Sequence, residues 1–421
     1  MSSQKNKFKQ TEIGIIPEDW EIKRIGDEIE LCYGKGLTEK KRIKGDFPVF
    51  GSHGMVGEHN EFLVEGPGII IGRKGSVGEV TFSNKSFWPI DTTYYIKLKK
   101  NGNIRFWYYF LLTLKLNKMN SHSAVPGLNR DIVYEIKKGI PDDEQQFSIA
   151  KILSDLDSKI ELNQQMNHVL ESIGQAIFKH WFVDFEFPNE EGNPYKSSGG
   201  EMVDSEFGEI PGEWRVGKLG ELIELKNGFA FKSTDFVDDG IPVIKIKNVK
   251  PGKILLDNLS YVSKEVFIKN RRHKIEFNDI VITMSGNRID GSPDTWVGKV
   301  ALFNRTGDYL LNQRVGIMKI KDKENISKYY LSQLLSGLKF QYYFITNATS
   351  SGGQANISPD LINNSMIIIP SNLTLKLYHG IAAVLFKMIF ENEMENEFLS
   401  QIRDLLLPKL MSGKIRVPVE A

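Results

Sequence analysis

The sequence predicts an α+β protein built as a tandem duplication, in which two α/β globular segments are separated by two long helices that form an antiparallel coiled coil. Three observations lead to this prediction. An opening motif occurs twice, a coiled-coil spacing of apolar residues occurs twice, and two basic segments flank an acidic one.

The duplicated opening is a Gly-x-Ile-Pro-x-x-Trp motif at residues 14–20 and again at residues 208–214. At this offset of 194 the two copies match without a gap as far as Val49. The offset then rises to 229 at Pro141 and Pro370, because the intervening loops differ in length. Chance similarity does not keep register over so long a stretch, so the chain contains two copies of one unit.

Short apolar runs within each copy, such as residues 68–71 and 279–282, lie between Gly, Asn and Asp turns and predict strands of a small, irregular sheet. Residues 104–116 and 326–338 predict short helices. Helix N-caps are predicted at Asn129 and Ser358.

Residues 142–182 predict one long helix, because their seam positions recur at alternating steps of four and three from Ile149 to Trp181. The same steps run from Tyr378 to Leu410 and predict a second long helix. At 1.5 Å per residue each would be a rod of about 60 Å that acts as a spacer. The predicted organisation is a globular segment at 1–141, a spacer helix at 142–185, a polar linker at 186–205, a second globular segment at 206–370, a second spacer helix at 371–413 and a tail at 414–421.

Each predicted seam is interrupted at its middle by two polar residues. These are Asn163 and Asn167 in the first helix and Asn392 and Asn396 in the second. A buried amide that faces leucine is unsatisfied, whereas one that faces another amide is not. One such helix alone would be interpreted as an amphipathic core helix, but the matched pair predicts that the two helices pack together with these asparagines fixing their register.

Composition and charge bound the class of protein. Hydrophobic residues make up 41% and charged residues 25%, which is ordinary for a soluble globular chain. No unbroken apolar run approaches the ~18 residues of a membrane span, and residues 1–7 lack the apolar core of a signal peptide. The only cysteine, Cys32, suits a reducing compartment. We therefore expect a cytoplasmic protein with no membrane partner.

The net charge of +1 conceals a division along the chain. Residues 1–141 carry 22 Lys and Arg against 16 Asp and Glu, and residues 206–370 carry 22 against 18. Residues 142–205 carry only 4 against 13. Two basic segments separated by an acidic one are expected of a protein that touches a polyanion at two places.

Motifs for catalysis are missing or weak. No Pro-Pro dipeptide occurs, so the catalytic loop of amino-methyltransferases is missing, and no Gly-Lys pair is followed by Ser or Thr as in an ATP-binding P-loop. The glycine-rich residues 72–78 are interpreted first as a tight turn and second as a phosphate contact. Glu-x-Lys triplets at residues 21–23, 39–41 and 224–226 fit part of a metal-dependent nuclease site. The seven histidines show no metal-ligand spacing, so no metal site is predicted.

Polar and basic residues outside the helices carry the remaining chemistry. Arg and Lys can bind phosphate or guanine, and Asn can bind adenine; a solvated surface charge is the alternative for each. The candidate DNA contacts are Lys40, Lys41, Arg42, Lys44, His53, Arg73, Lys74 and Ser76 in the first copy and Lys245, Lys247, Asn248, Arg271, Arg272, Asn287, Arg288 and Arg314 in the second.

With these features the whole chain resembles the specificity (S) subunits of type I restriction-modification systems. The resemblance rests on the duplicated opening, on Ile-Pro at 140–141 and 369–370 before each helix, on Trp-Phe-Val-Asp-Phe at 181–185, and on Leu-Pro-Lys-Leu-Met-Ser-Gly at 407–413. It departs where the second seam has an arginine, Arg403, in place of Gly174, which puts the local packing there in doubt.

The resemblance implies that each globular segment is a target recognition domain for one half of a bipartite, asymmetric double-stranded DNA sequence. The helices would set the gap between the half-sites. The chain itself would be non-catalytic, with two methyltransferase (M) subunits docked around the helices and restriction (R) subunits added for cleavage. It would bind no cofactor, and S-adenosylmethionine, ATP and Mg²⁺ would be held by the partner subunits.

Two other functions stay open on the sequence alone. A stand-alone endonuclease would use one of the Glu-x-Lys triplets and would nick DNA by itself in Mg²⁺. A pure scaffold would bind proteins through its globular segments and would show no salt-sensitive binding to DNA.

Overall fold

The computed structural model describes residues 7–119, 127–287, 297–351 and 353–418. Its contacts divide the chain into two compact units, residues 1–164 with 393–421 and residues 165–392. Each unit therefore holds one globular segment together with part of each long helix. The predicted domains follow chain order, whereas these units combine distant parts of the chain.

The first unit contains short strands, short helices and the start of a long helix. Its elements are β1 (Phe8–Thr11), β2 (Gly14–Pro17), β3 (Glu21–Arg24), α1 (Ile25–Glu28), β4 (Ile29–Tyr33), β5 (Phe47–Gly51), β6 (Gly54–His59), β7 (Gly68–Gly72), β8 (Val80–Ser83), β9 (Trp88–Pro89), β10 (Thr93–Leu98), α2 (Ile104–Thr113), α3 (Arg130–Tyr134), β11 (Lys137–Ile140), the first part of α4 (Asp143–Phe182) and two 3₁₀ turns, Glu39–Lys41 and Leu116–Lys118.

An antiparallel sheet of order β4-β10-β7-β8 forms the centre of the first unit. Its buried residues, including Ile69 and Ile71, pack with Phe106 and Phe110 of α2, since alternate strand residues face the helix. Strand β11 pairs with β3 and so ties the segment that enters α4 to the start of the globular segment. A smaller sheet has the order β6-β5-β9, and in the sequence its strands come between those of the central sheet.

The second unit repeats this plan with additions. Its elements are β12 (Met202–Val203), β13 (Ile210–Pro211), β14 (Arg215–Lys218), α5 (Leu219–Leu222), β15 (Ile223–Asn227), β16 (Phe236–Val237), β17 (Ile241–Ile244), β18 (Val249–Lys250), β19 (Lys253–Ile254), β20 (Ser260–Val262), α6 (Lys264–Lys269), β21 (Lys274–Ile275), β22 (Ile280–Thr283), β23 (Ser285–Asn287), β24 (Val300–Leu302), β25 (Tyr309–Leu311), β26 (Val315–Ile320), α7 (Lys328–Ser336), α8 (Leu338–Thr346), β27 (Thr349–Ser351), β28 (Gln354–Asn356), α9 (Pro359–Asn363), β29 (Met366–Ile369), part of α10 (Asn372–Met411) and three 3₁₀ turns, Ser233–Asp235, Ile246–Asn248 and Arg271–His273.

The central sheet of the second unit, β15-β26-β22-β24, is antiparallel like its counterpart. Strand β29 pairs with β14 as β11 pairs with β3. The predicted strands at 68–71 and 279–282 are thus confirmed as β7 and β22. The predicted helix at 326–338 is confirmed as α7, which ends at Ser336 because Gly337 has an extended backbone with φ −67° and ψ 150°, and a further helix, α8, begins at Leu338.

Both predicted N-caps are confirmed. The Asn129 side chain accepts a hydrogen bond from the backbone N–H of Asp131, which opens α3. The Ser358 side chain accepts from the backbone N–H of Leu361, and Pro359 occupies the first position of α9. Proline is suited to that position because its missing N–H would have no partner within the helix.

The predicted polar linker at 186–205 is instead folded onto the second globular segment. Phe187 is 6% exposed, and its ring stacks on Trp214 with centroids 5.0 Å apart and on Tyr195 with centroids 4.6 Å apart. Burial of these aromatic rings stabilises the compact form of a stretch whose overall composition is polar.

The two long helices, α4 and α10, have 40 residues each. In the first unit they run antiparallel, since Asp157 of α4 meets Arg403 while Asn163 meets Asn396. Residue numbers therefore fall along α10 as they rise along α4.

The second unit contains the other ends of these helices, also antiparallel. Asn167 of α4 meets Asn392, and Trp181 near the end of α4 packs against Tyr378 near the start of α10. Among the described residues one helix, α10, is long and apolar enough to cross a membrane, with a window of mean hydropathy 1.4. The sequence prediction counted unbroken apolar runs, whereas an averaged hydropathy tolerates interspersed polar residues.

Candidate nucleic-acid interface

The ends of three strands meet at one edge of the central sheet in the first unit. Tyr33 is the last residue of β4, Gly72 is the last of β7, and Thr93 is the first of β10. Because these neighbours are antiparallel, Tyr33 lies opposite Tyr94, and Gly72 lies opposite Thr93. The residues that follow β4 and β7 therefore lie beside those that begin β10.

Two arginines stack on an exposed tyrosine at this edge. The guanidinium carbon of Arg73 lies 5.2 Å from the centroid of the Tyr33 ring, and that of Arg130 lies 5.1 Å from it. The Tyr94 ring packs on the same ring with centroids 5.1 Å apart. Tyr33 nevertheless keeps 52% of its surface exposed. We call Tyr33, Arg73, Tyr94 and Arg130 the Tyr33 cluster.

Hydrogen bonds fix Arg73 within this cluster. Its Nε and Nη2 donate to the carbonyl oxygen of Asp91 at 3.2 and 2.6 Å. Its backbone N–H donates to the carbonyl of Thr92 at 2.9 Å, and its own carbonyl accepts from the N–H of Leu128 at 3.0 Å. The Tyr94 hydroxyl donates to the carbonyl of Leu128 at 3.2 Å. Burial raises the pKa of Tyr94 to about 12, so this donor stays protonated at neutral pH.

The loop after Arg73 meets the loop that carries His53. The Oγ atom of Ser76 lies 3.2 Å from Nδ1 of His53, and the carboxylate of Glu79 lies 3.4 Å from the same nitrogen. A Ser-His-acid nucleophile uses both ring nitrogens, so this arrangement is not such a triad. Together with the exposed Lys74, these side chains form a polar surface. Lys74 and Ser76 closely follow Arg73 of the Tyr33 cluster in the sequence.

The other basic candidates of the first unit differ in their exposure and in the hydrogen bonds that they already donate. Lys40, Lys41 and Lys44 are exposed. Arg42 is half-buried, and its Nη1 donates to the carbonyl oxygen of Val56 at 2.6 Å. Arg42 therefore holds the neighbouring β5–β6 hairpin and has fewer donors left for a ligand.

The equivalent edge in the second unit collects a different set of residues. The carbonyl of Asn227, the last residue of β15, lies 2.9 Å from Nδ1 of His273. Because Nε2 of the same ring accepts from Nε of Arg272 at 3.0 Å, the proton is assigned to Nδ1, which donates to Asn227. Arg271 and Arg272 are exposed on this turn, and the half-buried Arg314 directly precedes β26 at the same edge.

A small sheet of order β23-β28-β27 extends the second unit beyond β22. Asn287, the last residue of β23, is exposed and its backbone lies opposite Gln354. The candidate Arg288 lies outside the described residues.

Lys245 precedes one 3₁₀ turn of the second unit, Ile246–Asn248, and Lys247 lies within it. The Nζ atom of Lys245 lies 3.8 Å from the centroid of the Phe236 ring, and burial, followed by the charge of Lys247, lowers the pKa of Lys245. Lys247 is exposed. Lys245 thus carries a partly desolvated charge, while Lys247 is a solvated one.

The structure corrects the prediction for Asn248. This residue is only 1% exposed. Its Nδ2 donates to the carbonyls of Leu255 at 3.1 Å and Asp257 at 3.3 Å, and its Oδ1 accepts from the N–H of Lys245 at 3.0 Å. An amide that is buried and bonded at both ends holds a turn and has no free edge for a base.

The asparagines on the first unit's helices meet each other. Asn163 is fully buried, and its Nδ2 donates to Oδ1 of Asn396 at 3.0 Å and to the carboxylate of Glu395 at 2.7 Å. Its Oδ1 accepts from Nζ of Lys159 at 3.0 Å. The Asn163 amide is therefore hydrogen-bonded at both its nitrogen and its oxygen.

The second unit has its own asparagine layer. Nδ2 of Asn392 donates to Oδ1 of Asn167 at 2.8 Å, and Nδ2 of Asn167 approaches the carbonyl of Ile389 at 3.3 Å. A shift of either helix by one heptad would separate these partners, so the amides specify one register.

The doubtful position Arg403 is explained by partners in the first unit. Its Nη1 donates to Oδ1 of Asp157 at 2.8 Å, while Oδ2 of Asp157 accepts the Tyr109 hydroxyl at 2.5 Å. In the second unit a Cβ on Gly174 would lie 3.4 Å from the amide nitrogen of Gln333, which is an ordinary van der Waals distance. At this seam position α4 therefore has a glycine, whereas α10 has an arginine that is bonded to Asp157.

The Glu-x-Lys triplets do not assemble a metal site within the described ranges. No three His, Cys, Asp or Glu residues there are placed to hold one ion. Glu21 is 3.3 Å from Lys23, and Glu224 is 3.6 Å from Lys226, so these triplets form local ion pairs.

A comparison with protein families follows the duplication. The model of the type I restriction modification DNA specificity domain matches residues 17–172 and again residues 211–403. The chain belongs to this family.

Members of the family from distant organisms align with nearly the whole chain. The MjaIX specificity subunit of a type I restriction enzyme from Methanocaldococcus jannaschii is 27% identical, covering 98% of this chain and 97% of its own length. The HindI specificity subunit from Haemophilus influenzae is 25% identical and covers 77% of this chain and 81% of its own. The crystal structure of the S subunit of a type I restriction-modification system from M. genitalium covers 96% of this chain and 97% of its own at 16% identity, with a TM-score of 0.62, and shares the fold.

Sequence reasoning missed Tyr33 and Arg130, the partners of Arg73. Tyr33 ends an apolar strand and Arg130 begins a short helix, so neither lies in an evident basic loop. The duplication held a signal for both, because Tyr33 stands opposite Asn227 and Arg130 opposite Pro359 in the aligned copies.

Proposed function

We propose that this chain recognises a bipartite, asymmetric sequence in double-stranded DNA and directs adenine methylation, and in a larger complex cleavage, by partner subunits. The observation that carries this proposal is that both globular segments build the same sheet edge and present different side chains on it. The relatives described above, which are specificity subunits of type I restriction enzymes, support the same function.

Backbone hydrogen bonds make the two edges equivalent. In the first unit the N–H of Gly72 donates to the carbonyl of Glu79, and the N–H of Gly78 donates to that of Gly72, both at 2.8 Å. In the second unit Thr283 takes the place of Gly72, since it donates to Lys299 and accepts from Gly298, both at 2.9 Å.

The residue after each strand is held in the same way. The N–H of Arg73 donates to Thr92 at 2.9 Å, and the N–H of Met284 donates to Arg314 at 2.8 Å. The carbonyl of Arg73 accepts from Leu128 at 3.0 Å, as the carbonyl of Met284 accepts from Ile357 at 3.0 Å. The equivalent pairs at this edge are Tyr33 and Asn227, Arg73 and Met284, and Arg130 and Pro359.

One backbone with two sets of side chains fits two target recognition domains that read different half-sites. The number of residues between equivalent positions also differs, since Gly72 and Gly78 are six positions apart in the sequence and Thr283 and Gly298 are 15 apart. Base edges in the grooves of DNA are distinguished by side-chain donors and acceptors, so a change of side chains on a constant scaffold changes the sequence that is read.

The long helices are proposed to form an antiparallel coiled coil that sets the gap between the half-sites. The paired seams and the asparagine layers support a single register for this coil. At about 1.5 Å per residue, deletion of one heptad from both helices removes about 10 Å. This distance equals about three base pairs at ~3.4 Å each.

Exposed apolar residues on the helices support the docking of methyltransferase (M) subunits, one for each unit. In the first unit these residues include Phe147, Leu162, Phe398, Ile402 and Leu405. In the second unit they include Val169, Ile173, Leu377, Val384 and Met388. Apolar side chains that recur on one helix face and are left uncovered mark a binding surface for a protein.

The catalytic chemistry is proposed to reside in the partners. S-adenosylmethionine would be bound by the M subunits, and ATP and Mg²⁺ by the restriction (R) subunits in the cleaving complex. We place the assembly in the cytoplasm, where its DNA substrate lies and where the single thiol of Cys32 stays reduced.

Co-expression with the candidate M subunit in a methylation-free host tests this function. Mapping of N6-methyladenine across the host genome should reveal a two-part asymmetric motif with a fixed gap. A soluble complex that methylates no such motif would contradict the proposal. Mg²⁺-dependent nicking by the purified chain alone would point to the endonuclease alternative instead.

The same assay tests the spacer. The double heptad deletion should shorten the gap by about three base pairs and leave each half-site unchanged. An unchanged gap in an active complex would refute the role of the helices as a ruler.

A further inference from the structure

We propose that Arg130 reads a guanine in the half-site bound by the first globular segment, with Tyr33 and Arg73 as the residues that position it. This inference rests on the proposed function and names a specificity-determining residue within it.

Arg130 is held by stacking and keeps its donors. Its guanidinium lies 5.1 Å from the Tyr33 ring centroid, and it donates no hydrogen bond to any other of the described residues. Stacking on an aromatic face orients the plane of a guanidinium without using its N–H groups. Arg130 therefore presents an oriented fork of donors next to a ring that is 52% exposed.

Arg73 lies against the same ring but has a different structural role. Two of its nitrogens are bonded to the carbonyl of Asp91, and its guanidinium is 5.2 Å from the Tyr33 centroid. These bonds leave it fewer donors than Arg130 has. Its contribution is to fix the Tyr33 ring, and so to fix the plane on which Arg130 lies.

The duplication argues against a purely structural role. At the positions of Tyr33, Arg73 and Arg130 the second unit has Asn227, Met284 and Pro359, and the same backbone edge forms. The fold therefore does not require a stacked tyrosine and two arginines at this place. A side chain that the scaffold does not need is available for the ligand.

The duplication also favours a base over a phosphate. Phosphate contacts are independent of sequence, so both segments need them and one scaffold can supply them at equivalent positions. Contacts to bases must differ between segments that read different half-sites. Among the bases, guanine offers the O6 and N7 acceptors that the planar fork of arginine matches bidentately.

Three substitutions of Arg130 test the inference in the complex with the M subunit. Arg130→Ala removes the fork, Arg130→Lys keeps the charge without the fork, and Arg130→Pro introduces the residue that the second unit already holds at the first position of α9. Proline fits at Arg130 because it is the first residue of α3 and follows an extended Asn129. The control is Arg105→Ala, since Arg105 also stacks on a ring, at 4.8 Å from the Phe82 centroid, but lies on α2.

Methylation maps of these complexes decide the outcome. All three Arg130 variants should lose discrimination at one guanine of one half-site, by about tenfold or more, while the other half-site and the gap are unchanged. Tyr33→Asn should relax the same position, which a merely structural residue would not do. Arg105→Ala should leave the motif intact.

Two results would overturn the inference. One is an unchanged half-site in Arg130→Ala and Arg130→Pro. The other is a uniform loss of methylation over an unchanged motif that Arg130→Lys restores, which identifies a phosphate contact. The complex with the unsubstituted chain is mapped before any variant. Absence of any bipartite motif in that map would refute the proposed function itself, whereas failure of the Arg130 inference appears only in the maps of the variants.

Discussion

Replacement of Asp157 by alanine should destabilise the first unit far more than its partly exposed position on α4 indicates. Its carboxylate accepts the Tyr109 hydroxyl at 2.5 Å and the Arg403 guanidinium at 2.8 Å. Tyr109 is only 1% exposed, and burial, followed by the bond to Asp157, raises its pKa. The variant would leave a buried hydroxyl without an acceptor.

The magnitude follows from these contacts. An unsatisfied buried hydroxyl costs about 1–3 kcal/mol. The side chains of Asp157 and Arg403 are each 30% exposed, so solvent screening limits their ion pair to at most about 1 kcal/mol. Asp157→Ala should therefore lower the free energy of unfolding by about 1–4 kcal/mol.

Asp155→Ala is the matched control. Asp155 lies on the same helix and pairs with Lys151 at 2.8 Å, but the two side chains are 63% and 57% exposed. Its loss should cost about 0.3–0.5 kcal/mol. A further comparison is Asp157→Ala made in a Tyr109→Phe chain, where no hydroxyl is left unsatisfied and the cost should fall to about 1 kcal/mol or less.

Urea titration measures these differences, and amide hydrogen exchange in α2, residues 104–113, reports on the first unit specifically. Local exchange is needed because a chain of two units does not unfold in a single transition. The reasoning is refuted if Asp157→Ala costs no more than Asp155→Ala, or if its cost is undiminished in the Tyr109→Phe chain.

Two other predictions concern the turn at Asn248 and the tail. Asn248→Ala should lower the free energy of unfolding of the second unit by about 2 kcal/mol, because two carbonyls and one N–H would lose their hydrogen-bond partner. Lys247→Ala should be neutral in the same urea titration. Equal effects of the two substitutions would contradict the structural role of Asn248. The Arg416 guanidinium bonded to Asp19 lowers the pKa of that carboxyl to about 2. The pair therefore stabilises the fold above the ordinary pKa of 3.8, and this contribution is lost as the pH falls from there towards 2. Asp19 is 45% exposed, so Asp19→Asn should reduce stability at pH 6 by less than about 1 kcal/mol and should converge with the unsubstituted chain near pH 2; a difference that persists at pH 2 would refute this assignment.

Periodic patterns predicted the elements of this fold because they depend on local geometry. The steps of four and three that end at Trp181 and Leu410 became two helices of 40 residues. The asparagines predicted to face each other do so within each unit, at Asn163 and Asn396 and at Asn167 and Asn392. A polar interruption shared by two apolar seams is informative because few arrangements satisfy it.

Features that depend on distant residues were not predictable. Arg130 is 97 residues from Tyr33 in the chain, and only the folded sheet edge brings them together. Asn248 carries an amide of the kind that can bind a base, yet the turn directs this side chain inward. The polar stretch at 186–205 folds because Phe187 finds Trp214, a partnership that composition does not reveal.

The two sheet edges also show how one scaffold can change its ligand without losing its backbone. In the first unit the loop after β7 returns so closely that a Cβ on Gly72 would lie 2.0 Å from the carbonyl oxygen of Ser76. In the second unit the equivalent residues Thr283 and Gly298 are 15 positions apart in the sequence rather than six, and the Oγ1 of Thr283 accepts from the N–H of Lys299 at 2.9 Å. Loop length and the residue at the end of the strand therefore change together, while the ladder of backbone bonds is kept. It follows that exchange of single surface residues should alter what an edge reads, whereas exchange of a loop requires its matching strand residue as well.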